Sequence, residues 1–550
     1  MTRLISSARA LCGLSMLLLG AGCGGRPAAF DKPFDPGQHD VKDPTDPSGK
    51  LQVRGLTGSV ALLDPGLNQV LMFTSPKPLA LETTRLPVGR DVVQFQSSRG
   101  RDKLFVLSRG VTPRYKDSDE PPQLRVFDGG PEPKELAKVE LQDPYNELDV
   151  DPEGEWLLIH GSGGLVSNPN ELLLVHLGQG DAEPTLTSKT LGSYGGKPLR
   201  FKFTGELTIP DGAKRRLLVV EREKDLAIID LAQPDDPEIT VALPQNNQPL
   251  DVVYHAGIDG EVNSLLGVQL EGDTNVDLLT INAPESADHA FSVHPNLVDV
   301  GGMPSQLDFV QTRKDGGLRL AALVPQKQSA KLIDPASGVA QDVPLHASFT
   351  KIRRITNDVS EQSGEDIALL YGEATNTIAF WRLGITTGTP YHSIDAYDIG
   401  IKVAQVFDIP NEQSDKFADH KILSGTSTGS LQQFYVLDLT AQKSFPLDVL
   451  TNLTLNLSPN GEQLWAFGKD RGFAQLTFDP LQPASLYTEE PIAFVHDIAT
   501  ASGGDERTAM VLHILPSSGH STVAATLFDG RDPSTAKTRF YSELELEGIK

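Results

Sequence analysis

Histidine and acidic side chains are the groups in this sequence that could hold a metal ion or act as general acids and bases. The sequence contains 12 histidines, which are scattered along the chain. None lies in an H-E-x-x-H pattern, which would place two ligands on one helix face. Two pairs are close in sequence, His289 with His294 and His513 with His520. Histidines in β loops more often bond to water or backbone, so the sequence leaves a metal site open.

An acidic segment, DVDPEGEW, resembles the start of a calcium-binding loop. Asp149, Asp151 and Glu153 alternate before Gly154. The twelfth position of such a loop needs a bidentate glutamate, and this sequence has His160 there. The segment is therefore interpreted as a hairpin turn.

Nucleophilic and nucleotide chemistry lack their usual motifs. No G-x-S-x-G elbow stands between a strand and a helix. Gly161-Ser162-Gly163 and Gly425-Thr426-Ser427 fit polar loops better. There is no P-loop and no dinucleotide fingerprint. We therefore predict no catalytic residue and no cofactor, and an enzyme is the less favoured class.

The charge balance limits the classes of partner. The chain carries 73 acidic and 48 basic residues, a net charge of −25. Such a field disfavours nucleic acid and anionic lipid surfaces. Solubility of an exported protein explains it most simply, and calcium or a cationic partner is the alternative.

Cys23 is the residue for which the sequence predicts a covalent modification. Arg3 and Arg9 precede a short apolar run, and Leu19-Gly20-Ala21-Gly22-Cys23 closes the segment. This pattern resembles the lipobox of bacterial lipoproteins, with glycine at the position where leucine is usual. The resemblance implies cleavage before Cys23 and its lipidation, and several acyl chains anchor a protein stably. An ordinary secretory signal or an uncleaved anchor is the alternative.

The chain divides into three parts on this interpretation. Residues 1–22 are the predicted signal peptide, and 23–50 form a disordered tether rich in Pro, Asp and Gly. Residues 51–550 form the folded body. Cys12 lies in the predicted signal and Cys23 at the lipidation point, so the body has no thiol for a disulfide or a zinc site.

The body contains a repeating β pattern, in which an apolar strand ends at an acidic turn. A carboxylate there can accept backbone N–H bonds of the turn. The copies are LRVFDGG (Leu124–Gly130), LAIIDLA (Leu226–Ala232), AKLIDPA (Ala330–Ala336), YVLDLT (Tyr435–Thr440), LTFDP (Leu476–Pro480) and TLFDG (Thr526–Gly530). Weaker copies lie near His176, Thr280 and Arg382, and NQVLMF (Asn68–Phe73) is an N-terminal candidate. Their spacing of about 40 to 55 residues is typical of four-stranded propeller blades.

Hairpins with tight glycine turns precede many of these strands, as in SPNGEQLWAF from Ser458 and DPEGEWLLI from Asp151. They resemble the first hairpin of blades in the lactonase-like and YVTN-repeat group of bacterial propellers. The resemblance implies an all-β propeller of about seven to ten four-stranded blades. The ten units could also include insertions or divide between two rings, since seven or eight is the commoner ring size. A β-sandwich array or a β-solenoid is the alternative fold.

These observations predict a lipid-anchored propeller of the cell envelope, at the outer membrane because Gly24 rather than Asp follows the cysteine. We expect a non-enzymatic scaffold that binds an envelope protein or polymer and no nucleic acid. A lactonase-like hydrolase with its site at the central channel is the alternative, because propellers host both roles.

Overall fold

The computed structural model describes residues 52–544 apart from internal stretches, of which the longest are 356–366, 384–392 and 409–419. In several strands beyond residue 404 only the backbone is described. The described residues form ten four-stranded antiparallel sheets and one two-stranded hairpin. This confirms the all-β class and the propeller of four-stranded blades. Cys23 and the predicted tether lie outside the described residues.

Each sheet is one blade, and its four strands follow in chain order from the first to the fourth. The fourth blade carries the additional hairpin between its first and second strands. Blades one to five contain β1 (Gln52–Gly55), β2 (Ser59–Asp64), β3 (Gln69–Thr74), β4 (Glu82–Pro87); β5 (Val92–Ser97), β6 (Lys103–Ser108), β7 (Gln123–Asp128), β8 (Glu135–Glu140); β9 (Glu147–Val150), β10 (Trp156–His160), β11 (Glu171–His176), β12 (Thr185–Thr190); β13 (Pro198–Phe203), the hairpin β14 (Leu207–Thr208) and β15 (Lys214–Arg215), β16 (Leu217–Arg222), β17 (Asp225–Asp230), β18 (Ile239–Ala242); β19 (Pro249–His255), β20 (Asn263–Leu270), β21 (Asn275–Asn282) and β22 (Ser292–Asp299).

Blades six to ten have the same layout without an added hairpin in the described residues. They contain β23 (Gln306–Gln311), β24 (Leu318–Val324), β25 (Ser329–Ile333), β26 (Ala340–Pro344); β27 (Lys351–Ile355), β28 (Ile367–Tyr371), β29 (Thr377–Arg382), β30 (Ser393–Asp398); β31 (Ile401–Asp408), β32 (His420–Ser427), β33 (Gln432–Asp438), β34 (Lys443–Leu447); β35 (Thr454–Leu457), β36 (Gln463–Phe467), β37 (Gly472–Phe478), β38 (Leu481–Tyr487); β39 (Phe494–Ala499), β40 (Arg507–Ser517), β41 (His520–Asp529) and β42 (Thr538–Leu544).

The strands differ in burial according to their place in the blade. The second strand of the first blade, SVALLD, is buried throughout, whereas its fourth strand, ETTRLP, is mostly exposed. Strands covered on both faces by neighbouring sheets are nearly continuous apolar runs. The first strands of successive blades contact one another, as β1 does with β5 and β5 with β9. The first strand is therefore the innermost one and borders the central channel.

The ring closes between its first and last blades. Strand β39 contacts both β1 and β2. The backbone N–H of Ala499 donates to the carbonyl of Thr57 at 3.1 Å, and Ser75 forms a parallel bridge with Thr500. All ten predicted units are thus blades, and the N-terminal candidate and the three weaker copies each coincide with a third strand. A sandwich array and a solenoid are excluded.

The predicted acidic turns form as expected in the described copies. Asp128 accepts the N–H of Gly130 at 2.8 Å, and Asp230 accepts that of Ala232 at 3.0 Å. Asp334 accepts the N–H groups of Ala336 and Ser337. All three stand at the ends of third strands and hold the following turn, so the aspartates have a structural role. The aspartate side chains of the three later copies, Asp438, Asp479 and Asp529, lie outside the described residues.

The topology gives the ring two distinct faces. Loops between second and third strands, and connections between blades, open on one face, which we call the upper face. Loops between first and second and between third and fourth strands open on the other, the lower face. The innermost strands begin at the upper face. The turn at Gly212 lies on the lower face. It closes the separate hairpin β14–β15, which stands between the first and second strands of the fourth blade.

Candidate functional site

Polar side chains of the innermost strands connect neighbouring blades along the channel. Gln94 donates from Nε2 to the carbonyl of Asn146 at 2.9 Å, and Gln96 donates to the carbonyl of Leu148 at 3.1 Å. An innermost strand has a sheet neighbour on one side only, so part of its backbone needs other partners. These glutamines of the second blade supply such partners to the third blade.

The same arrangement recurs between later blades. Lys202 donates from Nζ to the carbonyl of Val252 at 2.7 Å, from the fourth blade to the fifth. Between the sixth and seventh blades, Gln306 accepts the N–H of Ile352 at 2.9 Å. The channel wall therefore uses its polar groups to hold adjacent blades in register.

An ion network occupies the inner wall of blades four to six. Arg200 contacts the fully buried Glu221 on the neighbouring strand, with 2.8 Å between Nε and Oε2. Lys202 lies within electrostatic range of Asp251, Glu221 and Asp308, which come from three blades. Each charge thus has a compensating charge, as burial requires.

Burial shifts the pKa values of this network. Burial lowers the pKa of Lys202 to about 8, although Asp251 and Glu221 oppose the shift. It raises the pKa of Glu221 to about 7 against the influence of Arg200, and that of Asp308 to about 6 against Arg354. Carboxyl groups with such values can take up protons close to neutral pH.

Two carboxylate oxygens in this network have no hydrogen-bond partner among the described residues: Glu221 Oε1 and Asp251 Oδ1. Both residues are buried. An ionised carboxylate only accepts hydrogen bonds, so a water molecule or the hydroxyl or amino group of a ligand would fit there.

A second polar group lies on the third blade. His160 Nε2 is 3.2 Å from Asp149 Oδ2, and the imidazole ring rests 4.4 Å from that of Phe201. Ser162 donates from Oγ to Glu147 at 2.9 Å. A serine nucleophile would need its hydroxyl on an imidazole, and here the hydroxyl bonds to a carboxylate instead.

The calcium-like segment is a hairpin turn in the structure, as predicted. Asp151 Oδ1 accepts the N–H groups of Glu155 and Trp156 at 2.7 and 2.9 Å, and its other oxygen contacts Arg216. Gly154 has a φ of +68°, which the turn requires. Burial raises the pKa of Asp151 to about 6. This carboxylate is fully engaged by the protein.

The histidine pairs do not assemble a described metal site. His289 bonds to Ser286 in a loop, and His294 lies on the outer strand β22. His513 is buried against the carbonyl of Pro491 and the hydroxyl of Thr526, while the side chain of His520 lies outside the described part. Within the described residues, no three His, Cys, Asp or Glu side chains are placed to hold a metal ion.

The innermost strands hold the residues that the sequence interpretation missed. Arg200 and Lys202 alternate with Phe201 and Phe203, which is the ordinary pattern of a strand with one solvent-facing side. Only the closed ring brings these charges into a channel. The repeated charged residue in the first strand of several blades was the available signal.

The tryptophans pack within and between the blades. Trp381 is fully buried between blades six and seven, and Trp465 is buried between blades nine and ten. Trp156 is partly buried beside His176, with 4.5 Å between ring centroids.

Among the described residues, no helix has the length and the apolar composition that spanning a membrane requires.

Comparison with known proteins identifies no family. No protein-family model matches the sequence. No curated protein matches it either.

Several solved structures resemble the chain at low scores. Dihydro-heme d1 dehydrogenase NirN in complex with DHE is 13% identical, with a TM-score of 0.40 over 76% of this chain and 78% of that one. Sqt1 of Saccharomyces cerevisiae is 11% identical, with a TM-score of 0.35 over 76% and 92%. The Pan2 WD40 domain of Neurospora crassa is 12% identical, with a TM-score of 0.32 over 59% and 86%. These values transfer no activity, and the ten sheets themselves establish the fold.

Proposed function

We propose that this protein is a lipid-anchored propeller of the cell envelope that acts as a non-enzymatic scaffold for an envelope protein or polymer. One observation carries the proposal. Three polar side chains of the channel wall, those of Gln94, Lys202 and Gln306, bond to the neighbouring blade. Groups that hold the ring together are not free to act on a substrate.

The anchoring part of the proposal rests on the sequence. Cys23 ends the lipobox-like segment, and about 27 residues rich in Pro, Asp and Gly lead from it to β1. A flexible stretch of this length reaches about 30 Å. It would let a body attached to the outer membrane engage a partner nearby, with either the periplasmic or the surface side as its location.

The test is affinity purification of the full-length tagged protein from native membranes after gentle cross-linking. Cys23→Ser is the matched control, because it removes the lipidation point and leaves the propeller unchanged. A stoichiometric envelope partner that is recovered only with Cys23 supports the proposal. Recovery of the protein alone, at wild-type abundance in the membrane, contradicts the scaffold function.

The second candidate is a lactonase-like hydrolase with its site at the central channel, on the side of the third blade. The observation in its favour is the pair of His160 and Asp149 at 3.2 Å, next to Ser162 and Glu147. A screen of ester and lactone substrates with the wild type and with His160→Ala would test it. Turnover that disappears in the variant, while the variant keeps the melting temperature of the wild type, would favour the enzyme.

A further inference from the structure

Among the described residues, four of the five large apolar side chains that are at least half exposed lie on the upper face, while less exposed ones such as Leu136 and Leu297 lie on outer strands. Tyr115 is 82% exposed in the loop between β6 and β7, and Tyr194 is 75% exposed in the connection before β13. Met303 and Tyr487, also in or next to connections between blades, are 50% and 78% exposed. Among the described loops of the lower face, only Val339 is a comparable residue, at 65%.

These side chains are spread around the ring. Tyr115 belongs to the second blade, Tyr194 to the connection from the third to the fourth, and Met303 to the connection from the fifth to the sixth. Tyr487 ends the ninth blade. The binding hot spots of protein interfaces cluster near one centre. The four exposed side chains are instead spread over more than half of the ring. This spread fits contact with a flat surface at least as wide as the ring.

The predicted tether joins the ring at this same face. Strand β1 is an innermost strand, and innermost strands begin at the upper face, so Gln52, the first described residue, lies there. A lipid on Cys23 would then connect the membrane to the upper face. A short tether raises the effective concentration of the attached surface to about the millimolar range, so weak contacts suffice to hold it.

We infer that the upper face rests on the zwitterionic headgroup layer of the membrane that holds Cys23. Tyrosine side chains favour this layer, because the ring is apolar and the hydroxyl bonds to water. The net charge of −25 excludes a strongly anionic surface. The inference rests on the proposed lipid anchor, and it leaves the lower face and the outer strands accessible to the envelope partner.

The test uses the full-length lipidated protein in phosphatidylcholine vesicles, with single thiols for an environment-sensitive fluorophore. Ser118→Cys and Ser193→Cys place the probe beside Tyr115 and Tyr194, and Val339→Cys is the lower-face control. We expect blue-shifted emission, quenched by brominated phosphatidylcholine, at both upper positions and not at the control. The double variant Tyr115→Ser with Tyr194→Ser should lose most of the shift at position 193.

Flotation of the vesicles separates the inference from the anchor. If the wild type floats with the vesicles and Cys23→Ser does not, the anchor holds. Water-like emission at both upper positions then overturns the seated upper face alone. If the wild type fails to float, the anchor and the inference both fail.

Discussion

His496 of the last blade bonds to Leu56 of the first, although the two residues are 440 positions apart in sequence. The Nε2 atom of His496 donates to the carbonyl of Leu56 at 2.8 Å, and the imidazole ring is fully buried. The ring lies against Gly55, where an added Cβ would come within 2.4 Å of Nδ1. The closure of the propeller therefore depends on a glycine that leaves room for a histidine.

Gly55→Ala should destabilise the protein, because the new methyl group would overlap the imidazole of His496. Overpacking of this kind costs about 1–3 kcal/mol. Thermal unfolding followed by circular dichroism would show a lower midpoint. Gly205→Ala is the matched control, since a Cβ there meets no atom within 4 Å. Equal midpoints for the two variants would contradict the tight seam.

Acid should weaken the seam through His496. Burial, with Arg101 and Arg507 nearby, holds the pKa of His496 well below its usual value of 6.5. Below that pH the unfolded chain binds a proton that the folded protein does not. The stabilisation is therefore present above about pH 6.5 and is lost as the pH falls. We expect the stability of the wild type relative to His496→Gln to decrease between pH 7 and pH 5. Parallel curves in denaturant titrations at these pH values would refute this.

The repeating units were predictable from the sequence because their signal is local. An apolar strand and its acidic turn lie within a few residues, so Asp128, Asp230 and Asp334 could be assigned their role directly. The number of blades was less certain, since ring size depends on packing between units. The structure shows that all ten units are blades.

Asp334→Ala tests the role of the acidic turns. The variant removes the acceptor of two backbone N–H groups and the ion pair with Arg319 at 3.3 Å. A loss of about 1 kcal/mol is expected. Asp342→Ala in the same blade is the control, because Asp342 is mostly exposed and its ion pair among the described residues is with Lys331. If both variants unfold at the same denaturant concentration, the turn role is wrong.

The candidate site could not be predicted, because its residues are distant in sequence and ordinary in local pattern. In the sequence pattern, Lys202, Asp251 and Asp308 are each an ordinary polar residue on the solvent-facing side of a strand. Their proximity follows from the radial arrangement of the blades, which no local pattern contains. The contact between His496 and Leu56, 440 positions apart, could not be predicted for the same reason.

Lys202→Met should destabilise the ring in a pH-dependent way. The ammonium group is one of the cations that compensate the partly or fully buried acids Asp251, Glu221 and Asp308. Removing it leaves Glu221 and Asp251 with Arg200, and Asp308 with Arg354. We expect a loss of about 2 kcal/mol at pH 7, where Lys202, with a pKa of about 8, is mostly charged. This is less than the cost of breaking a fully buried pair because water reaches the channel. Burial already raises the pKa of Glu221 to about 7 and that of Asp308 to about 6. These acids take up protons as the pH falls to 5, so the loss should shrink over that interval.

Lys214→Met is the control, because Lys214 is exposed and pairs with Glu206 at the surface. A loss that stays constant from pH 7 to pH 5 would mean that Lys202 acts through its hydrogen bond to Val252 rather than through the acids.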